Sequence, residues 1–295
     1  MRFGYVGIGN MGGPMAANLA RGGNEVIIGD LNKAAVDAFT TEHETARPAN
    51  GMAAVGQDAD AVFTCLPNGK IVRDAILGDG GVAEGMAEGS VLVDMSSSAP
   101  MGTIALGEEL AERGIRMVDA PVSGGVPRAI EGTIAIMVGG EKEDIEKVRP
   151  ALETMGGQIF ETGGLGSAHA MKSINNVLSA TNLLVGIEAL VVGKKFGLDP
   201  QNMVDILNFS SGKNSATEGK LKEYVLSREF NSGFSIDLMI KDVATALDLA
   251  HEMQVPWTIG STIHEMYQSA RNHLIDNADN SEIARWIEAN GGLEL

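Results

Sequence analysis

The sequence predicts an α/β fold followed by an all-α one: a doubly wound parallel sheet over residues 1–165, then a helical domain over residues 166–295 with a long central helix. Three observations predict it. Short apolar runs alternate with helical patterns up to about residue 165, the rhythm of strands and crossover helices in a parallel sheet. Beyond that point strand-like runs stop and helical periodicity takes over. At the junction, Ser167 to Phe196 contains no proline and ends before Gly197, a natural C-terminal stop. That length makes one helix of ~45 Å.

In chain order, Arg2 to Val6 reads as a strand, followed by glycines and a helix from Pro14 to Arg21. Strands are expected at Glu25–Gly29, Ala61–Leu66, Ser90–Met95, Arg116–Asp119 and Ala135–Val138. The long helix carries Leu183, Leu184, Val185, Leu190, Val191 and Val192, so it belongs at the centre of a domain or subunit interface. Asp199-Pro200 reads as an N-cap followed by proline at the first helical position. Ser235–Gln254, Trp257–Leu274 and Ser281–Asn290 supply further helices. No internal repeat is visible, and no flexible linker marks the boundary.

The chain has 295 residues, 44% hydrophobic and 21% charged, which is ample for a core and argues against disorder. A net charge of −17 argues against nucleic acid and anionic membrane surfaces as partners, although a few local cations suffice to hold a small anion. The one cysteine, Cys65, lies in the apolar run Ala61–Leu66 and reads as a buried structural thiol. It permits no disulfide within the chain, so a reducing, cytoplasmic compartment is expected. The glycine motif begins at Gly7, leaving no room for a leader, and no apolar run reaches the ~18 residues of a membrane span. His43, His169, His251, His264 and His273 show no metal-ligand spacing, so no metal is expected. There is no G-x-S-x-G elbow, and Gly139-Gly140 lacks the rest of a P-loop.

Gly7-Ile8-Gly9-Asn10-Met11-Gly12 fits G-x-G-x-x-G, a weak pattern alone. Here it follows a predicted strand and opens a predicted helix, the context of a Rossmann-type dinucleotide site. Gly7 permits the tight turn, Gly9 the approach of a pyrophosphate, and Gly12 the packing of helix on strand. Asp30 closes the second strand 18 residues after Gly12, close to the ~20-residue spacing of a ribose-binding acid. A carboxylate there accepts from a 2′-hydroxyl and repels a 2′-phosphate, which favours NAD. Lys33 nearby leaves NADP possible.

The run from Tyr5 to Leu19 resembles the signature of the β-hydroxyacid dehydrogenase family, which includes 3-hydroxyisobutyrate dehydrogenases, tartronate semialdehyde and glyoxylate reductases, and threonate dehydrogenases. The resemblance covers nearly the whole chain. Leu66-Pro67-Asn68 looks like the family's loop beside the adenosine ribose and pyrophosphate. Asp94 to Ser98 resembles the segment whose second hydroxyl residue, here Ser97, faces the nicotinamide. Asp119 to Gly125, with Ser123, Gly124 and Gly125, resembles the substrate-binding segment. Lys172-Ser173-Ile174-Asn175-Asn176 resembles the catalytic K-x-x-N-N motif. Phe234 and Asp242, with Lys241, resemble a set framing the cofactor and substrate. The chain departs from the family at Ala168, where a glycine is common, and at His169, where glutamine is frequent.

The resemblance implies hydride transfer between NAD(P) and a small hydroxyacid or semialdehyde. Lys172 then handles the hydroxyl proton near the start of the long helix, where the dipole disfavours an ammonium. Asn175 and Asn176 fall three and four residues on, on the same face, and Asn176 can bind the substrate hydroxyl and orient Lys172. Ser123-Gly124-Gly125 offers a hydroxyl and close-approach N–H groups to a carboxylate. Lys241 either lines the cofactor cleft or pairs with Asp242. The polar loop Ser210–Ser215 brings Lys213 and Asn214 as candidates for the substrate's far end, as hydroxyl or anion ligands, unless it is an ordinary surface loop. The expected enzyme is an NAD-dependent 3-hydroxyacid dehydrogenase, with the reverse reductase as alternative and a homodimer or homotetramer as assembly. An imine reductase is a further possibility on a related fold, though those relatives usually lack the lysine. A non-catalytic dinucleotide sensor is the alternative of another class, against which Lys172 and Asn176 speak.

Overall fold

The computed structural model describes residues 1–295, which divide into two compact units, 1–172 and 173–295. In the first unit nine strands form one sheet. β1 (Arg2–Val6), β2 (Glu25–Gly29), β3 (Ala46–Pro48), β4 (Ala61–Thr64), β5 (Val91–Asp94) and β6 (Arg116–Asp119) run parallel in the order 3-2-1-4-5-6. That order reverses direction between β1 and β4, the topological switch point at which open α/β sheets bind ligands beyond their strand ends. The helices are α1 (Gly12–Arg21), α2 (Lys33–Glu42), α3 (Ala53–Gly56), α4 (Gly69–Leu77), α5 (Pro100–Ala111), α6 (Gly125–Glu131) and α7 (Lys142–Met155).

The remaining strands depart from the parallel expectation. β7 (Val122–Ser123) and β8 (Ile134–Gly139) pair antiparallel, β8 runs antiparallel to β6, and β9 (Gly156–Gly163) lies parallel on β8. β3, β7 and β9 carry too little apolar alternation to be read from sequence: β3 ends on Pro48, β7 has two residues, and β9 is half exposed with glycine at both ends. The central strands are buried on both faces. Val91, Leu92 and Val93 are all at 0% exposure, as a sheet covered by helices on both sides requires. Phe3 and Tyr5 pack on Phe63 with ring centroids 5.5 and 6.1 Å apart.

The second unit is helical. α8 (Ser167–Phe196) starts in the first unit and continues through the second as one helix of 30 residues, as its sequence predicts. α9 (Pro200–Asn208) is capped by Asp199, whose carboxylate accepts from the Asn202 N–H at 2.8 Å. A π-helical segment, Ala216–Leu226, follows. Its wider turn gives none of the 3.6-residue periodicity that reveals the other helices. α10 (Ile236–Glu252), α11 (Thr258–Arg271), a 3₁₀ turn at Asn280–Glu282 and α12 (Ile283–Gly291) complete it. Leu183, Leu184, Ile187 and Leu190 of α8 form the core with Leu221, Val225, Ile236, Tyr267 and Ile283. An 18-residue window of α8 has a mean hydropathy of 1.5, apolar enough by composition to cross a membrane, although its separate apolar runs are short. Over half of that window is buried inside the protein, as in the core helix of a packed domain.

The glycine turn after β1 is built for close packing on one side only. A Cβ on Gly12 would lie 1.9 Å from the Gly7 carbonyl oxygen, and Gly7 itself sits at φ +92° against Cys65. A Cβ on Gly9 would meet nothing within 4 Å. Gly12→Ala should therefore destabilise the protein by about 1–3 kcal/mol or more, whereas Gly9→Ala should shift the thermal midpoint little. Calorimetric melting of both variants checks this, and equal loss from the two substitutions would contradict it.

Candidate active site

The loops that follow β1, β4, β5 and β6 all leave from the carboxyl ends of parallel strands. In the first of them, the Asn10 and Met11 N–H groups have no partner within the protein. They precede α1, which has no side-chain cap. Unspent N–H groups at a helix start suit an anion. Asp30 sets the geometry of this turn. One oxygen accepts from the Ile8 N–H at 2.8 Å and the other from the Asn32 N–H at 2.8 Å. A carboxylate offers about four acceptor positions, so capacity remains for ribose hydroxyls. The open space at Gly9, the unspent N–H groups and Asp30 together fit a dinucleotide.

The next two loops are pinned to each other. The Leu66 N–H donates to Ser96 Oγ at 2.9 Å, and Asn68 caps α4 by accepting from the Ile71 N–H at 3.0 Å. Asp94 is buried and gathers three donors: Thr64 Oγ1 at 2.8 Å, Ser98 Oγ at 2.7 Å and the Ser96 N–H at 3.0 Å. Pro67 and Ser97, the other predicted residues here, lie within these loops. Burial, with the Asp94 carboxylate adding, pushes the Cys65 thiol up to about 12, so it stays protonated and inert at neutral pH.

His169 joins this layer to α8. Its ring is buried, with Nε2 3.1 Å from the Ser96 carbonyl oxygen and Nδ1 2.8 Å from Thr103 Oγ1. A carbonyl only accepts, so Nε2 carries a proton and donates to it. Asp94 and Asp119 approach the two ring nitrogens at 3.8 and 3.7 Å. Asp119, at the end of β6, accepts from the Gly166 N–H and the His169 N–H, both at 2.8 Å. Burial pushes its carboxyl up, while His169 and these N–H groups pull it back. The sequence offers His169, three residues before Lys172, as a residue that touches the site or that caps or packs the helix start; its ring contacts lie 66 and 73 residues away along the chain.

Lys172 follows His169 by three residues on α8. Asn175 and Asn176 come next, and within the second unit Asn176 is locked. Its Nδ2 donates to Asp242 Oδ2 at 2.5 Å, and its Oδ1 accepts from Asn175 Nδ2 at 3.2 Å. Because Asp242 as a carboxylate only accepts, the Asn176 amide has one orientation, with one N–H left to offer. Lys241 pairs with the other Asp242 oxygen at 3.0 Å, one of the two roles that the sequence leaves open for it. Asp242 thus sits beside Asn176 within the second unit.

Ser123 ends β7, and Gly124 and Gly125 follow it at φ +141° and +77°, conformations that only glycine adopts without strain. Phe234 packs against the core of the second unit, and its carbonyl accepts from the Asn280 N–H at 2.8 Å. Lys213 and Asn214 are spent locally. Lys213 pairs with Glu218 at 2.8 Å on the surface. The Asn214 side chain accepts from the Ala216 and Thr217 N–H groups and donates to the Gly212 carbonyl. In this structure they lie just before the π-helical segment Ala216–Leu226. Lys220 within that segment, bonded to Ser179 of α8 at 2.7 Å, went unsingled in the sequence, because only the fold brings the two together.

The chain is similar to known proteins over nearly its whole length. Residues 2–164 match the family model for the NAD binding domain of 6-phosphogluconate dehydrogenase. Residues 166–287 match that described as the NAD-binding domain of NADP-dependent 3-hydroxyisobutyrate dehydrogenase. The 2-(hydroxymethyl)glutarate dehydrogenase of Eubacterium barkeri is 37% identical over 292 residues, 99% of this chain and 96% of that one. The 3-sulfolactaldehyde reductase of Escherichia coli is 32% identical over 98% of this chain and 96% of its own. Among solved structures, the Mycobacterium tuberculosis 3-hydroxyisobutyrate dehydrogenase with L-serine superposes with a TM-score of 0.88 at 28% identity, covering 97% of this chain and 98% of that one. The chain belongs to the β-hydroxyacid dehydrogenase family and is an NAD(P)-dependent oxidoreductase acting on the CH–OH group of a hydroxyacid.

Proposed function

We propose that the protein oxidises a small 3-hydroxyacid with NAD, Lys172 taking the hydroxyl proton and Asn176 holding the hydroxyl oxygen. The observation that carries this is the locked Asn176 amide, one helical turn from Lys172, with a single N–H left to donate. When bound, the nicotinamide supplies the hydride acceptor. Lys172 acts as general base, and Asn176 keeps the substrate oxygen in register with it. Ser123 and the Gly124-Gly125 backbone hold the substrate carboxylate, and Asn175 steadies Asn176. Gly7, Gly9, Asn10, Met11, Gly12 and Asp30 hold the pyrophosphate and adenosine ribose, with Leu66, Pro67 and Asn68 flanking them and Ser97 at the nicotinamide end. In the reverse direction Lys172 gives the same proton to an alkoxide, so a semialdehyde reductase needs no different residue. The reductase relative supports that second reading.

NAD is the preferred cofactor in this reading because Asp30 is placed for the ribose hydroxyls and the run Leu31-Asn32-Lys33 brings no arginine to a 2′-phosphate, Lys33 being the one cation beside it. A second copy of the chain is the proposed partner. Leu178, Val185, Val192 and Phe196 leave an apolar stripe along α8, with Val192 70% and Phe196 85% exposed. Such a stripe on a long helix is usually covered by association. Cytoplasmic residence is proposed from the lone thiol, and cell fractionation checks it.

Lys172→Ala should lower kcat by about 10²–10⁴-fold while NAD affinity, read by calorimetry, persists. Asp242→Ala should free Asn176 and lower kcat by about tenfold or more. Full activity in the lysine variant sinks the assignment. With NAD and NADP compared on one hydroxyacid, kcat/KM should favour NAD by about 10–100-fold, and Asp30→Ala should narrow that ratio; an NADP preference in the unaltered protein refutes the cofactor reading. Light scattering should give a dimer or tetramer that Val185→Asp with Val192→Asp dissociates, and a monomer at micromolar concentration in the unaltered protein excludes the assembly.

A further inference from the structure

The ammonium of Lys220 lies partly buried in the π-helical segment and donates to Ser179 Oγ at 2.7 Å. No carboxylate pairs with it, whereas its neighbours Lys213 and Lys222 pair with Glu218 and Asp205. Asp279 acts on it only at longer range. That carboxylate is already occupied by Ser232 Oγ, the Gly233 N–H, the Ser281 N–H and Ser281 Oγ. Burial lowers the Lys220 ammonium below the ordinary lysine range, with Asp279 opposing. A half-desolvated cation held by one neutral hydroxyl is costly unless a further group brings negative charge to it.

Position along α8 says what that group is. Ser179 follows Asn176 by three residues, so it stands on the same helix face, ~4.5 Å farther along the axis. We propose that Lys220 and Ser179 form the receptor for a terminal carboxylate of the substrate, remote from the carbon that is oxidised. The substrate is then a hydroxy diacid. In 2-(hydroxymethyl)glutarate the carbinol carbon and the distal carboxyl carbon, separated by four C–C bonds, lie about 5 Å apart when extended, close to the advance from Asn176, which holds the hydroxyl, to Ser179. A substrate ending in a methyl group would leave the Lys220 cation facing an apolar surface. Lys213 and Asn214, the residues that the sequence offers for this end, are taken up by Glu218 and by the turn itself.

This inference rests on the hydroxyacid dehydrogenase reading, and the test separates the two. The selectivity ratio is kcat/KM for 2-(hydroxymethyl)glutarate divided by that for 3-hydroxyisobutyrate, measured with NAD for wild type, Lys220→Met and Lys220→Arg. Loss of a charge-assisted contact should lower the ratio in Lys220→Met by about 10–100-fold, mostly through KM, and Lys220→Arg should recover much of it. An unchanged ratio overturns the proposal. Calorimetric binding of glutarate, which carries both carboxylates and no reacting hydroxyl, is read on the same NAD-loaded proteins. Tighter binding to wild type than to Lys220→Met, without turnover of any hydroxyacid, would sink the dehydrogenase reading and keep the subsite. Turnover with equal glutarate binding keeps the enzyme and removes the subsite. Lys220→Gln, which retains a donor toward Ser179, repeats the comparison where the Met variant fails to fold.

Discussion

The Asp119 carboxylate at the end of β6 accepts two backbone N–H groups at the start of α8, from Gly166 and His169, and the placing of Lys172 follows from that pair of bonds. An N-terminal helix turn leaves donors without partners and carries a partial positive charge, so a carboxylate beside it satisfies both at once. The same turn holds the His169 ring, which donates to the Ser96 carbonyl in the loop after β5. That loop holds Leu66 through Ser96 Oγ. The strand ends, the loop assigned to the nicotinamide and the first turns of the proposed catalytic helix therefore form one bonded layer. Asp94 and Asp119 are the acidic anchors of that layer.

What the sequence reveals of this, it reveals through local spacing. The glycine turn, Asp30 and the 30-residue helix are patterns within a single strand–turn–helix or a single run, so reading along the chain finds them. Asp242 is legible only through its likeness to the family, since its bond to Asn176 spans 66 residues. The partners of His169, Thr103 and Ser96, are hidden for the same reason. Lys213 and Asn214 are ambiguous in the sequence because polar residues in a loop look alike whether they face a ligand or build the turn. Asn214 builds the turn, by accepting two N–H groups. Lys220 is invisible because a π-helix breaks the periodicity that assigns residues to faces. The antiparallel β7–β8 pair and the exposed β9 escape because neither carries a long buried run.

The charge distribution shows why a chain of net charge −17 can handle anions. At physiological salt a field is screened over ~8 Å, so distant surface carboxylates matter less than the groups that touch the ligand. At the turn after β1, the proposed pyrophosphate site, those groups are backbone N–H donors, which carry no countercharge. At Ser179 the group is a lysine without a paired acid. Net charge then bears on partners at long range, and local donors decide the substrate.

The long helix divides these tasks by face. Lys172, Asn176 and Ser179 continue, three and four residues at a time, into Leu183, Ile187 and Leu190, which are fully buried. One face is therefore polar over its first turns and core over the rest. Polar residues on a face that becomes core farther along require polar partners there, supplied by Asp242 and Lys220 from the protein and, in the proposed reaction, by the substrate. Leu178, Val185 and Val192 recur every seven residues on another side, exposed, where neither core nor reaction uses them. A substitution on the first face should then be read in kinetics, one on the core continuation in melting temperature, and one on the exposed stripe in assembly. Separate readouts from a single helix follow from its length, because 30 residues outlast the site they serve.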